Sequence, residues 1–264
     1  MKCIVVNGDD LGASPGVNRG ISEAHRRGLL TSASLLVNMP ASQEGARLVR
    51  DLPGLSVGLH ANLTDASGRP LVEFETGERC RIVLHEQMHS FRGLMGCSPT
   101  HLDAHHNLHR NPRLLPYFLE AADRYGLPLR EHSPVRYFSG FYGQWEGETH
   151  LEQISVQGLI GLVETEISPG VTELSCHPGY CDPQLRSSYR MEREVELRTL
   201  CDPAVRADDN GGHASSFPAW AAGRPPAKRS MASRKLTSWI RWADRNARTA
   251  GSHNVRSSTS RSIR

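Results

Sequence analysis

The chain predicts an α/β fold: a (β/α) barrel-like arrangement of parallel strands with helices outside. Three observations carry that expectation. Apolar, strand-like runs alternate with helical patterns about six times. No two strands read as joined by a tight hairpin. Several of the strands end in Asp or His. Such alternation specifies parallel strands, because each crossover passes through a helix. Polar strand ends converge on one face when the sheet closes as a barrel. An open doubly wound sheet is the alternative, but it brings fewer strand ends to one pocket.

The first strand, Cys3-Ile4-Val5-Val6, runs on to Asp9-Asp10. A helix follows from about Ser14 to Arg27. Ser14 suits its cap, Pro15 its first turn and Gly28 its exit, while Val17, Ile21 and Ala24 form the inward stripe. Residues 31–37 read as a second strand, 41–51 as a helix stopped by Pro53-Gly54, and 55–60 as a third strand ending in His60. Leu84, Met88, Phe91 and Met95 mark an amphipathic helix over about 80–95. Residues 99–105 form a fourth strand with a polar end. A helix runs from Pro112 to Tyr125, then a short strand through Leu127 and Leu129 to Arg130. A loop rich in Phe, Tyr and Trp (Tyr137 to Trp145) precedes a helix near 151–166 and a strand over 171–177 that ends in His177.

At 264 residues the chain fits one large domain or two small ones. Composition divides it at about Arg206. Residues 207–264 carry eleven Lys/Arg and only three acids, a net +8, which leaves about −5 on the remainder of a chain whose formal charge is +3. The body, 1–206, is therefore not a basic nucleic-acid binder. The basic stretch 207–264, dominated by Ala, Ser, Arg and Pro, reads as disordered or loosely packed. No apolar run approaches a membrane span, and the first residues lack the apolar segment and cleavage site of a secretory signal. The six cysteines are scattered without a CxxC pair, so a cytoplasmic location is expected.

Asp9 and Asp10 together are the most informative feature. Adjacent carboxylates at the mouth of a buried strand resist joint ionisation unless a cation compensates them. Asp10, His60 and His105 each follow an apolar strand pattern, and one carboxylate with two imidazoles is an open metal site. Asp9 then lies beside the ion, placed to take a proton from water that the cation activates. His177 is the candidate acid for the leaving group. Period-2 alternation puts His101, Asp103 and His105 on one side, with Asp103 able to orient a ligand histidine. Arg130 is placed to pair with Asp9. Tyr142 and Trp145, in the aromatic loop, are candidates to stack on a sugar ring. Each feature has a blander reading. A lone strand-end histidine is more often a hydrogen-bonded surface residue, an Arg–Asp pair is as often structural, and exposed aromatics also serve subunit contacts. Three polar strand ends in the expected order favour the metal site.

At these residues the chain resembles the YdjC-like carbohydrate deacetylases, which include the chitooligosaccharide deacetylases. The resemblance runs through Asn7-Gly8-Asp9-Asp10-Leu11-Gly12, Ser14-Pro15-Gly16-Val17-Asn18, Thr31-Ser32-Ala33-Ser34, Val57-Gly58-Leu59-His60, residues 99–106 and Cys176-His177-Pro178-Gly179-Tyr180, and covers about 1–206. It implies a (β/α) barrel-like fold and a hydrolase that removes acetyl groups from N-acetylated sugars with one divalent metal. It further implies Asp10, His60 and His105 as ligands, Asp9 as base, His177 as acid and a homodimer as the assembly. The family likeness points to Mg2+, whereas two imidazole ligands favour Zn2+ or another transition metal.

The chain departs from the resemblance in two places. The stretch between Pro70 and Cys80 is shorter than the family's insertion. The ending after about Arg206 lacks the family's last strand and helix, as a reading-frame change would produce; the barrel is then expected to be incompletely closed. The function expected is deacetylation of an acetylated carbohydrate, with no nucleic-acid or membrane partner. The alternatives are a metal-dependent barrel phosphoesterase or sugar isomerase, and a non-catalytic metal- or sugar-binding protein.

Overall fold

The first strand, β1 (Lys2–Leu11), is buried along nearly its whole length, as expected of a parallel strand covered on both faces. A computed structural model places it at the centre of a six-stranded sheet and describes residues 2–65, 69–73, 78–183, 185 and 187–205. The helix α1 (Pro15–Arg27) follows, with the Ser14 hydroxyl accepting from the Val17 N–H and Pro15 in the first turn. Then come β2 (Ser32–Leu35), α2 (Ser42–Arg50), β3 (Ser56–Ala61), α3 (Glu78–Met95) and β4 (Leu102–Ala104). A 3₁₀ turn over His105–Arg110 leads to α4 (Leu115–Tyr125), which ends on Gly126 at φ 63°, the left-handed exit that glycine adopts without strain. After β5 (Arg136–Phe138), β6 (Gln144–Trp145) and β7 (Glu148–Thr149) come α5 (Val156–Thr165), β8 (Gly170–Cys176) and α6 (Met191–Cys201).

The sheet order is β4-β3-β2-β1-β8-β5, and every ladder in it is parallel. Each strand from β2 to β4 pairs with its predecessor across a helical crossover, while β8 returns to the other side of β1. The sheet curls: the Arg130 guanidinium, past the β4 edge, reaches carboxylates on β4, β1 and β8 at once. The structure is thus a (β/α) barrel-like fold with helices outside. Val17, Ile21 and Ala24 of α1, Leu84, Met88 and Phe91 of α3 and Phe118 of α4 seal the outer face.

Three expectations are corrected. Residues 127–130 do not form a strand; Leu129 makes a single parallel bridge to Leu102, because Pro128 has no N–H for a ladder. The aromatic segment is not a plain loop. It contains β5 and enters an antiparallel hairpin, β6–β7, turned by Glu146 (φ 53°) and Gly147 (φ 80°). Two successive left-handed residues are what such a two-residue turn demands, so the absence of hairpins does not hold. Finally, α6 was not foreseen. Its buried side includes Glu192, Arg193 and Glu196, so it carries no apolar stripe for a periodicity reading to find. The basic stretch 207–264, and its proposed origin after Arg206, lie outside the described residues, as do 74–77 in the connection between Pro70 and Cys80.

Candidate active site

In an ordinary strand Asp9 and Asp10 would point to opposite faces. Here the β1–β2 ladder shifts register between Gly8 and Leu11, and Asp10 sits at φ 68°. A left-handed, non-glycine residue is a costly conformation of the kind that collects at functional sites. Both carboxylates are buried, 4% exposed each.

Asp10 divides its two oxygens. Oδ2 accepts from Nη2 of Arg193 at 2.6 Å. Oδ1 faces His60 Nε2 at 3.3 Å and His105 Nδ1 at 3.0 Å. His60 lies on β3 directly across from Asp103 on β4, and its Nδ1 donates to Asp103 Oδ1 at 2.7 Å. That bond fixes the tautomer and directs Nε2, with its lone pair, toward Asp10. His105, the first residue after β4, meets His60 edge to face at 5.4 Å, and His106 packs on the other side of it at 3.9 Å. His106 (φ 57°) and Asn107 (φ 52°) are both left-handed and turn the chain sharply after His105.

These three side chains fit a metal ion. Their ligand atoms lie within 4.8 Å of one another. Asp10 Oδ1 is fully buried and has no hydrogen-bond partner, an expensive state for a carboxylate oxygen unless a cation meets it. Burial opposes charge on His60, yet the Asp103 and Asp10 carboxylates beside it push it up to about 10. A field that strong favours a positive charge at this point. Asp9, His60 and Asp103 form a second compact group, but Arg130 already neutralises its carboxylates.

Arg130 clamps Asp9 with both Nη atoms at 2.8 Å each. It also reaches Asp103 Oδ2 at 2.7 Å and, through Nε, Glu173 Oε1 at 2.8 Å. Burial works to raise the Asp9 carboxyl, but the guanidinium holds it below the usual carboxylate range. Glu173, the third carboxylate on the same cation, is instead pushed up to about 7 by burial. Asn7 donates to Asp9 Oδ1 at 2.7 Å and to Ser34 Oγ at 2.8 Å, and Ser34 donates to Asp103 Oδ2 at 2.6 Å. The result is one continuous buried network from β1 through β2 to β4.

His177 follows β8. Burial pushes it down to about 4, with Asp10 and Asp9 pulling the other way. Its ring stands edge-on to Tyr142 and to Tyr189, 5.6 Å from each, and those two rings stack on each other at 4.6 Å. Arg193 links this side to the Asp10–His60–His105 group, donating to the His177 carbonyl at 3.4 Å as well as to Asp10. The turn after His177 packs on α1 with the Gly179 and Gly20 backbones touching; a Cβ on Gly20 would meet Gly179 Cα at 2.5 Å.

The structure thus gathers Asp9, Asp10, His60, His105, Asp103 and Arg130 at one end of the sheet, with His177 and Tyr142 joined to them through Arg193 and Tyr189. Trp145 stands apart on the hairpin, 41% exposed and stacked on His150 at 3.5 Å. Sequence reasoning missed Ser34, Glu173, Arg193, Glu196 and Tyr189. Glu173 carries a detectable signal, a charged residue inside an apolar strand pattern; the others carry none without the fold.

Comparison with known proteins agrees with this architecture. The family described as YdjC-like protein matches residues 3–209. A carbohydrate deacetylase of Geobacillus stearothermophilus is 38% identical over 234 residues, covering 77% of this chain and 91% of that protein. A chitooligosaccharide deacetylase of Serratia marcescens is 32% identical, with 78% and 93% covered. A crystal structure from Enterococcus faecalis V583, described provisionally as a cellobiose-phosphate cleavage protein, superposes with a TM-score of 0.65 at 30% identity, covering 77% of this chain and 92% of that one.

Proposed function

Because this chain belongs to the YdjC-like family, we propose that it is a carbohydrate deacetylase, a metal-dependent hydrolase that removes acetyl groups from N-acetylated sugars or short oligosaccharides. The observation that carries the reading is Asp10 Oδ1, buried without a hydrogen bond and faced by His60 and His105. Relatives with 91% and 93% of their length covered are named for deacetylation of carbohydrates.

Asp10, His60 and His105 would hold one divalent metal. When bound, that ion polarises the acetyl carbonyl and lowers the pKa of water. Two imidazoles and one carboxylate suit Zn2+ or a similar transition ion better than Mg2+, against the family likeness. Asp9, kept ionised by Arg130 and oriented by Asn7, accepts the proton of the attacking water. Asp103 fixes the His60 ring. His177 donates a proton to the departing nitrogen. Tyr142 packs beside His177, and Trp145 offers an aromatic face on the hairpin for a second sugar ring.

No described helix is long and apolar enough to cross a membrane. Thiols at Cys3, Cys80, Cys97, Cys176 and Cys181 suit the proposed cytoplasmic location. The proposed homodimer is checked by light scattering.

The test is acetate release from N-acetylglucosamine and its oligomers by protein loaded in turn with Zn2+, Co2+ and Mg2+. Acetate formed with any of these ions supports the reading. Phosphate release from phosphosugars, or sugar interconversion without acetate, replaces it with the phosphoesterase or isomerase alternative.

A further inference from the structure

We propose that Glu196 is the proton-relay partner of His177, a positioning residue whose carboxyl passes a proton to Nδ1 as Nε2 releases one to the leaving nitrogen. This rests on the deacetylase reading. Its basis is the surroundings of His177. Nδ1 is buried and has no hydrogen-bond partner, and Glu196 Oε1 lies 4.0 Å from it. That gap is about 1 Å beyond a hydrogen bond, and the relay requires the His177 ring to turn toward the carboxyl to close it. Glu196 itself is held firmly. The His177 main-chain N–H donates to Oε2, and the Tyr189 hydroxyl donates to Oε1. The same hydroxyl accepts from the Gly143 N–H at 2.8 Å.

Protonation supports the same arrangement. Burial pushes Glu196 up to about 8, so it keeps its proton at neutral pH. Burial pushes His177 down, so its ring is neutral there. Asp9 and Asp10 of β1 face the ring as anions, while Arg193 of α6 and His60 of β3 oppose them. The nearby Tyr142 and Tyr189 hydroxyls are both raised, by burial first, and stay neutral. An imidazolium in this setting would be a half-buried charge whose Nδ1–H is buried without a partner. The relay avoids it. As the amide C–N bond breaks, its electron pair goes to nitrogen and takes the Nε2 proton, while Nδ1 takes the Glu196 proton. His177 leaves as the other neutral tautomer and Glu196 as a carboxylate, which the Tyr189 hydroxyl and the His177 N–H stabilise. A solvent proton then enters at Nε2 as Nδ1 hands its own back to Glu196, and Asp9 gives up to solvent the one it took from water. The balance is amide plus water to amine plus acetic acid.

The experiment compares Glu196→Gln with the unchanged protein on two substrates, an N-acetylglucosamine oligomer and p-nitrophenyl acetate. The nitrophenolate departs without needing a proton. Glu196→Gln is expected to lower kcat on the amide about 100-fold, with KM within about twofold, and to leave the ester rate within about threefold. Equal losses on both substrates, or unchanged amide turnover, overturn the relay. Nitrogen NMR of the His177 ring gives a readout independent of turnover. The Nε2–H tautomer is expected near pH 7, moving toward Nδ1–H as Glu196 ionises above pH 8, and Glu196→Gln is expected to abolish that change. A tautomer indifferent to Glu196 overturns the relay even if the unchanged protein deacetylates nothing, an outcome that would fall on the deacetylase reading instead. If Glu196→Gln does not fold, Tyr189→Phe, which removes the donor to Oε1, is expected to show a smaller loss confined to the amide; a Tyr189→Phe loss shared by the ester overturns the relay.

Discussion

Arg130 grips Asp9 through both carboxylate oxygens, Nη1 to Oδ2 and Nη2 to Oδ1, at 2.8 Å each. The same guanidinium meets Asp103 and Glu173. One cation thus serves three carboxylates drawn from three strands, of which Asp9 and Asp103 are buried. Arg130→Met would leave those acids uncompensated. Removing one partner of a buried pair costs about 3–5 kcal/mol, so urea denaturation should show a loss of that order. A change under about 1 kcal/mol would mean the carboxylates simply take up protons.

Asp9→Asn keeps the shape of the clamp and removes the carboxylate proposed as base. It is expected to lower kcat for acetate release by about 10²- to 10⁴-fold while leaving metal affinity unchanged by calorimetry. Turnover retained in this variant would remove Asp9 from the role.

Metal affinity should report the ligands and their support separately. Asp10→Asn and His105→Ala are expected to abolish stoichiometric binding. Asp103→Asn, which loosens the His60 ring, should weaken it about 10- to 100-fold. A metal at 100 times its Kd stabilises the fold by about 2.7 kcal/mol, so a rise in Tm on adding the ion should vanish in Asp10→Asn.

The dependence of stability on pH follows from Glu196. Its folded value, about 8, lies above the ordinary 4.5, so the folded chain binds the extra proton and stability falls as pH rises through that range. Below pH 6.5 the trend is offset by His177, whose depressed value makes stability rise with pH between about 4 and 6.5. Glu173 adds to the fall up to about pH 7. Between pH 7 and 8 His60, held up to about 10 by its carboxylates, adds its own fall, so unfolding free energy should decline in both proteins but less steeply in Glu196→Gln. A decline of equal slope in both would assign it to another group.

Trp145 sits on the β6–β7 hairpin, pinned to the main body by Ser188 donating to Gln144 and Thr149 donating to Glu192. Trp145→Ala is expected to raise KM for a trisaccharide by about tenfold, within the range for a lost aromatic contact, and to leave N-acetylglucosamine unaffected. Equal effects on both sugars would place Trp145 outside any distal subsite.

Much of this site was legible in the linear chain. Asp10, His60 and His105 each close an apolar run, and Asp103, expected to orient a histidine, bonds the His60 ring across the sheet. Those signals survive because strand ends are local features whose side chains must go somewhere. The Arg130–Asp9 pair was readable only as one option, since the two residues are 121 positions apart. Glu196 and Arg193 were invisible. Their helix buries Glu192, Arg193 and Glu196 beside Leu197 and Leu200, and charged residues on the buried side break the apolar period that such a reading detects.

Sequence by itself determined the alternation of strand and helix, the parallel sheet and the strand-end acids and imidazoles, because backbone propensity and hydrophobic period are properties of neighbouring residues. Only the tertiary structure decided which face Asp9 and Asp10 share, through the left-handed turn at Asp10, and which distant charges balance them. Charge compensation in a dry interior depends on distances of a few ångströms between segments far apart in the chain, and no local pattern encodes those distances.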